Sequence, residues 1–88
     1  MKPRHLIFGV HVNDRVHRVP DVQKLLTEYG CYIKTRIGLH HVDDNACSPR
    51  GLILLKMFGD ESKCHELSAK LSGMEGVEVK EMVFDHPP

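Results

Sequence analysis

This sequence predicts an α+β fold of the ferredoxin-like kind, βαββαβ: a four-stranded antiparallel sheet with two helices on one face. Three observations predict it. Hydrophobic residues recur with a period of two, then near 3.6, in the order strand-helix-strand-strand-helix-strand. Each helical stretch follows a strand and ends in glycine, so the halves repeat one βαβ unit. The chain has 88 residues, the size of one two-layer domain, here spanning 1–88.

The first strand is expected from Arg4 to Asn13, with Leu6, Phe8, Val10 and Val12 on one face and Ile7, Gly9 and His11 on the other. Asn13 and Asp14 offer short side chains that cap a helix start. Val16, Val19, Val22, Leu25, Leu26 and Tyr29 then form an apolar stripe at helical spacing. Pro20 falls inside it, so either the first turn is irregular or the regular helix starts near Pro20. Gly30 is expected to stop the helix in the left-handed conformation.

From Cys31 the period returns to two. Ile33, Thr35, Ile37 and Leu39 share one face, and Lys34 and Arg36 lie on the open side of an edge strand, where charge discourages stray pairing. A polar loop from His40 to Arg50 follows. Leu52 to Phe58 is apolar on both faces and reads as a central strand. Asp60 caps a second helix that buries Cys64, Leu67, Leu71 and Met74 and ends at Gly73. Val77, Val79 and Val83 mark the last strand. With the helices over Leu6, Phe8 and Val10, the opposite face keeps Ile7, alternate residues of the third strand, Met82 and Phe84. Open apolar surface of that kind marks a subunit contact, so a homo-oligomer, a dimer or tetramer, is expected.

Charge excludes one class of partner. Lysine plus arginine and aspartate plus glutamate number 12 each, leaving no basic surface to hold nucleic acid directly. No membrane span or secretory leader stands out, which makes the expected location cytoplasmic. Cys31, Cys47 and Cys64 are odd in number and lack close spacing, so they read as free thiols, with Cys31 and Cys64 in the core.

Chemistry-bearing residues concentrate in the loop, which holds His40, His41, Asp43, Asp44, Asn45 and Cys47. An imidazole and a thiolate, His41 and Cys47, suit nickel, zinc or copper better than a hard cation. His40 points away from His41 in an extended chain, so both reach one ion most easily across a subunit boundary. The same residues also make an ordinary solvated loop, with Asp43, Asp44 and Asn45 forming turns. No nucleophile, base and orienting group fall at a recognisable spacing, and an enzyme is not expected. Neither the cysteine pair of a metallochaperone nor the arginine-glycine turn of an acylphosphatase follows the first strand.

Three resemblances add to this reading. From Asp14 to Ile33 the chain is similar to the ACT regulatory domain, whose Asp-Arg-Pro-Gly turn leads into a helix that ends in glycine. Asp14-Arg15 and Gly30 keep that spacing, with Val16-His17 in place of Pro-Gly. What this implies is an effector held at the turn by Asn13, Asp14, Arg15 and His17.

From about Leu6 to Val83 the chain resembles the small ACT-like proteins named as regulators of the iron-only hydrogenase system. Glu28-Tyr29-Gly30, Arg36-Ile37-Gly38 and Gly73-Met74-Glu75-Gly76-Val77 carry that likeness. A sensing or structural role in a homo-oligomer is implied.

The region is also similar to the C-terminal, metal-sensing domain of the nickel-responsive repressor, in which a His-x-His and a following cysteine bind nickel. His41 and Cys47 take those places, and His40 lies one position from the expected histidine. The repressor's ribbon-helix-helix segment has no counterpart, which implies sensing without operator binding by this chain. Together these readings predict a transcription-related regulatory module that binds a small effector or a metal through His40, His41 and Cys47. It would signal through its oligomer to a regulatory protein partner. The alternatives are a ligand-free structural or assembly protein, and a metal storage or delivery protein.

Overall fold

A computed structural model of the chain describes residues 4–13, 15–39 and 51–85, with backbone alone at 15–18 and 39. Its elements are β1 (His5–Val12), α1 (Arg15–Glu28), a 3₁₀ turn (Gly30–Tyr32), β2 (Ile33–Leu39), β3 (Gly51–Met57), α2 (Glu61–Ser72) and β4 (Val77–Phe84). The strands form one antiparallel sheet in the order β2-β3-β1-β4. This is the predicted ferredoxin-like topology, with β3 central and β2 at an edge.

Side-chain alternation decides what each face meets. Leu6, Phe8, Val10 and Val12 of β1 are buried with Leu55 and Met57 of β3 and Val77 of β4. The helices close this layer with Val22, Leu26 and Tyr29 of α1 and its C-terminal end, and Cys64, Leu67 and Leu71 of α2. Asp60 caps α2 as expected, its carboxylate accepting from the Ser62 N–H at 2.9 Å and the Ser62 hydroxyl at 2.7 Å. Those bonds hold the Asp60 carboxyl below its ordinary range.

Several details depart from the periodicity. The helix starts at Arg15 and runs through Pro20 without a break, so the proline's missing donor is tolerated inside the helix rather than marking its start. Gly30 is not left-handed. The chain leaves α1 through a right-handed 3₁₀ turn, with the Tyr32 N–H bonded to the Tyr29 carbonyl at 2.9 Å. Among the described residues the positive φ angles belong to Gly59 (88°) and Gly76 (83°), which turn the chain into α2 and β4.

A register shift between Ile33 and Thr35 also divides the face predicted for β2. Ile33 aligns with Met57 and packs on the core, whereas Thr35 and Ile37 align with Lys56 and Leu54 on the open face. One extra residue in a strand inverts all that follows. Arg36 accordingly aligns with Leu55 on the helix side, where its guanidinium donates to the Gln23 side chain, and it does not guard the open face.

Candidate functional site

The register of the strands fixes which loops share an end of the sheet. Val12 aligns with both Gly51 and Val77, and Leu52 aligns with both His11 and Leu39. Hence β1 ends, β2 ends, β3 begins and β4 begins along one rim. The turn after β1 and the segment after β2 leave the sheet about 10 Å apart, two strand spacings. Val12 and Leu39, the strand ends that precede the two stretches singled out in the sequence, Asn13 to His17 and His40 to Cys47, thus stand on the same rim.

Asn13 is exposed there, and its N–H is bonded to the Gly76 carbonyl at 2.7 Å, which ties β1 to the start of β4. Arg15 and His17 are placed by their backbone in the first turn of α1. Asp14, His40, His41 and Cys47 lie outside the described residues. Sequence spacing passed over His11, which the register puts in the rim's own row, between Leu52 and Glu78 on the open face. That placement depends on pairing between strands far apart in the chain, and no local motif carries it.

A second polar group lies on the closed side, where α2 crosses β4. Arg4 clasps Glu61 with its Nη2 at 2.6 Å, and this bond holds the Glu61 carboxyl below its usual range. His65 stands between two carboxylates, Nε2 at 4.0 Å from Glu61 and Nδ1 at 3.5 Å from Glu81. The buried Ser68 hydroxyl donates to the other Glu81 oxygen at 2.6 Å. In this serine-glutamate-histidine chain the carboxylate is in the middle. The hydroxyl therefore has no imidazole beside it to take its proton, and the order is wrong for nucleophilic catalysis. Its geometry suits bracing α2 on β4.

Cysteine placement corrects one expectation. Cys64 is buried, and burial pushes its thiol above the ordinary range, but Cys31 sits exposed on the 3₁₀ turn rather than in the core. Among the described residues no three histidine, cysteine, aspartate or glutamate side chains come together as a metal site.

The open face of the sheet is the remaining feature. Ile37 (49% exposed), Leu52 (36%), Met82 (49%) and Phe84 (51%) stand on it, with Ile7 and Leu54 between them. Gly9 lies at its centre, aligned with Leu54 and Lys80. Lys56, Glu78 and Lys80 supply charges of both signs around this apolar area.

Comparison with known proteins agrees with this architecture. A family model described as "TM1266-like: Iron-only hydrogenase system regulator, putative" matches residues 4–81. The solved structure of the uncharacterized protein TM1266 from Thermotoga maritima is similar over 94% of this chain and all of its own length, with a TM-score of 0.78 and 26% identity. A formyltetrahydrofolate deformylase from Pseudomonas putida KT2440 matches over 96% of this chain but only 30% of its own, with a TM-score of 0.55 and 17% identity. At that identity the second likeness is one of fold alone. No match is found among curated proteins. No described helix is long and apolar enough to cross a membrane.

Proposed function

Because the chain belongs to the TM1266-like family of iron-only hydrogenase system regulators, we propose that it is a sensor module whose ligand binds at the rim where β1 and β2 end. The ligand is a transition metal, nickel, zinc or copper, held by His40, His41 and Cys47, or a small effector held by Asn13, Asp14, Arg15 and His17. The observation that supports the reading is that β1 and β2, after which the two stretches follow in sequence, end on one rim. A ligand there touches the connections of several strands at once. It acts by binding one quaternary arrangement of a homo-oligomer more tightly than another, which shifts the population toward that arrangement.

The output passes to a protein partner. Twelve basic and 12 acidic residues leave no excess of charge to hold DNA. The apolar open face favours a second reading, an assembly protein whose surface is its whole function.

Native mass spectrometry of the purified protein with nickel, zinc and copper separates the two. The sensor reading expects a stoichiometric adduct that disappears in His41→Ala and in Cys47→Ser while helical content is kept. Failure of the unaltered protein to take up any of the three ions would remove the metal and leave the effector turn, tested by small-molecule shifts at the Asn13 amide. An Asn13 amide that responds to no ligand would leave the assembly reading.

A further inference from the structure

The two edges of the sheet differ in a way that bears on how copies of this chain meet. β2 is guarded. It carries the register shift between Ile33 and Thr35, with the charged Lys34 at the shift itself, and both spoil a straight edge. β4 is regular. It pairs with β1 over all eight residues without a shift, and among the described residues no strand lies on its other side.

The Asn13 N–H bonds to the Gly76 carbonyl across the β1–β4 pair, which sets the parity of the ladder. Glu78, Lys80, Met82 and Phe84 then turn their backbone groups toward β1, and Val77, Val79, Glu81 and Val83 turn theirs outward. The Val77 N–H agrees, since it bonds to Met74 rather than to β1. Glu81 is the inward charge that could guard this edge. Its carboxylate is already occupied by Ser68 and His65 on the helix side.

We propose that β4 pairs antiparallel with β4 of a second copy, centred on Val79, joining two sheets into one of eight strands. This deepens the homo-oligomer of the proposed function and does not depend on its ligand. Charge complementarity selects both the occupant and the register. Glu78 and Lys80 stand side by side on the open face, their charged ends 3.4 Å apart. A two-fold axis at Val79 sets Glu78 opposite the partner's Lys80 and Lys80 opposite the partner's Glu78. These are non-hydrogen-bonded positions, where facing side chains approach most closely.

Val79 exchanges backbone bonds with the partner's Val79. The Glu81 N–H reaches the partner's Val77 carbonyl, and the two-fold axis repeats that bond. Centring on Glu78, Lys80 or Glu81 would put like charges opposite each other. A centre at Val83 would set Glu81 against Asp85, and one at Met82 would set Lys80 against Phe84 with no ion pair.

The test uses charge reversal in the full chain, read by sedimentation equilibrium at physiological salt. Glu78→Lys sets two lysines opposite two lysines in its own dimer, and Lys80→Glu sets glutamates opposite glutamates. Each variant alone is expected to raise the dimer Kd by roughly tenfold or more. Mixed in equal amounts, they restore both ion pairs, so a heterodimer of wild-type affinity is expected. The double variant Glu78→Lys/Lys80→Glu should likewise dimerise. Single variants as tight as wild type, or a mixture no tighter than its components, would overturn the pairing. Ile37→Glu, on β2 at the far side of the sheet, reads the open face alone. If it dissociates the protein while the charge variants do not, the edge proposal fails and the oligomer of the proposed function stands. A wild-type protein that is monomeric throughout sinks both.

Discussion

Along β1, Leu6, Phe8, Val10 and Val12 are buried, whereas Ile7 and His11, alternating with them on the same strand, are only partly covered. The contrast extends across the sheet. On β3, Leu55 and Met57 are buried while Leu52 stands exposed, and on β4 the open-face side chains Met82 and Phe84 are about half exposed. Both faces are apolar, but the two helices close only one. Apolar content therefore does not distinguish a core from a contact surface in this chain. What distinguishes them is whether the same chain supplies the covering layer, and that depends on where the connections cross.

The sharpest way to break this comparison is to truncate one residue on each face. Phe8→Ala removes a fully buried ring and should cost about 3–5 kcal/mol in urea unfolding, much of the ~5–15 kcal/mol available to a domain of this kind. Met82→Ala, measured under conditions that keep the protein monomeric, should change stability by less than about 0.5 kcal/mol. Similar losses at the two positions would mean that the open face is covered within the chain.

The closed face was the more legible of the two from sequence, because its signals are local. Period-two and near-3.6 spacing found every strand and both α-helices among the described residues, and the Asp60 cap and the buried Cys64, Leu67 and Leu71 stand as read. Three errors share a physical origin. Gly30 has the residue type of a left-handed stop, yet Tyr29, anchored in the core, lets the chain leave through a right-handed turn instead. Pro20 disfavours a helix interior only by a local cost, which tertiary burial of Val22 and Leu26 outweighs. Arg36 and Ile37 exchanged faces because a bulge shifts register without altering composition.

For the candidate site, the sequence identified residue types but not their neighbourhood. The placement of Asn13 and of the ends of β1 and β2 on one rim comes from strand pairing alone. His11 joins them for the same reason.

A smaller effect tests the brace between α2 and β4 on the closed side. Ser68→Ala leaves the Glu81 carboxylate without its 2.6 Å donor in a part-buried seam. The expected loss is about 1 kcal/mol, with amide exchange at the C-terminal half of β4 accelerating relative to β1. Lys80→Ala, one residue away but directed to the open face, should leave the monomer's stability unchanged within about 0.5 kcal/mol. Equal effects would show that the seam contributes no more than the exposed surface does.

The smallest effect concerns the contact between the end of α1 and α2. The Tyr29 hydroxyl donates to Glu66 Oε2 at 2.9 Å, and this bond, helped by Lys63, holds the Glu66 carboxyl below its usual range. Lys70 lies over the same ring, 5.1 Å from its centroid. Tyr29→Phe removes the hydroxyl and keeps the ring, so the buried packing and the cation above it are retained.

The direction with pH follows from linkage. A carboxylate whose folded value lies below its unfolded value, ~4.3 for glutamate, stabilises the fold fully above that unfolded value. It loses this contribution as pH falls through the folded one. The gap in urea midpoint between wild type and Tyr29→Phe should therefore be steady at pH 6 to 8, taken as roughly the neutral plateau, and shrink on titration below about pH 4.5. Asp60 and Glu61 are lowered in the same direction, so both proteins weaken in acid, but only the Tyr29–Glu66 bond differs between them. A gap that persists unchanged into acid would assign the loss to packing around the ring, and the seam between the helices would then be apolar in its energetics as well as its composition.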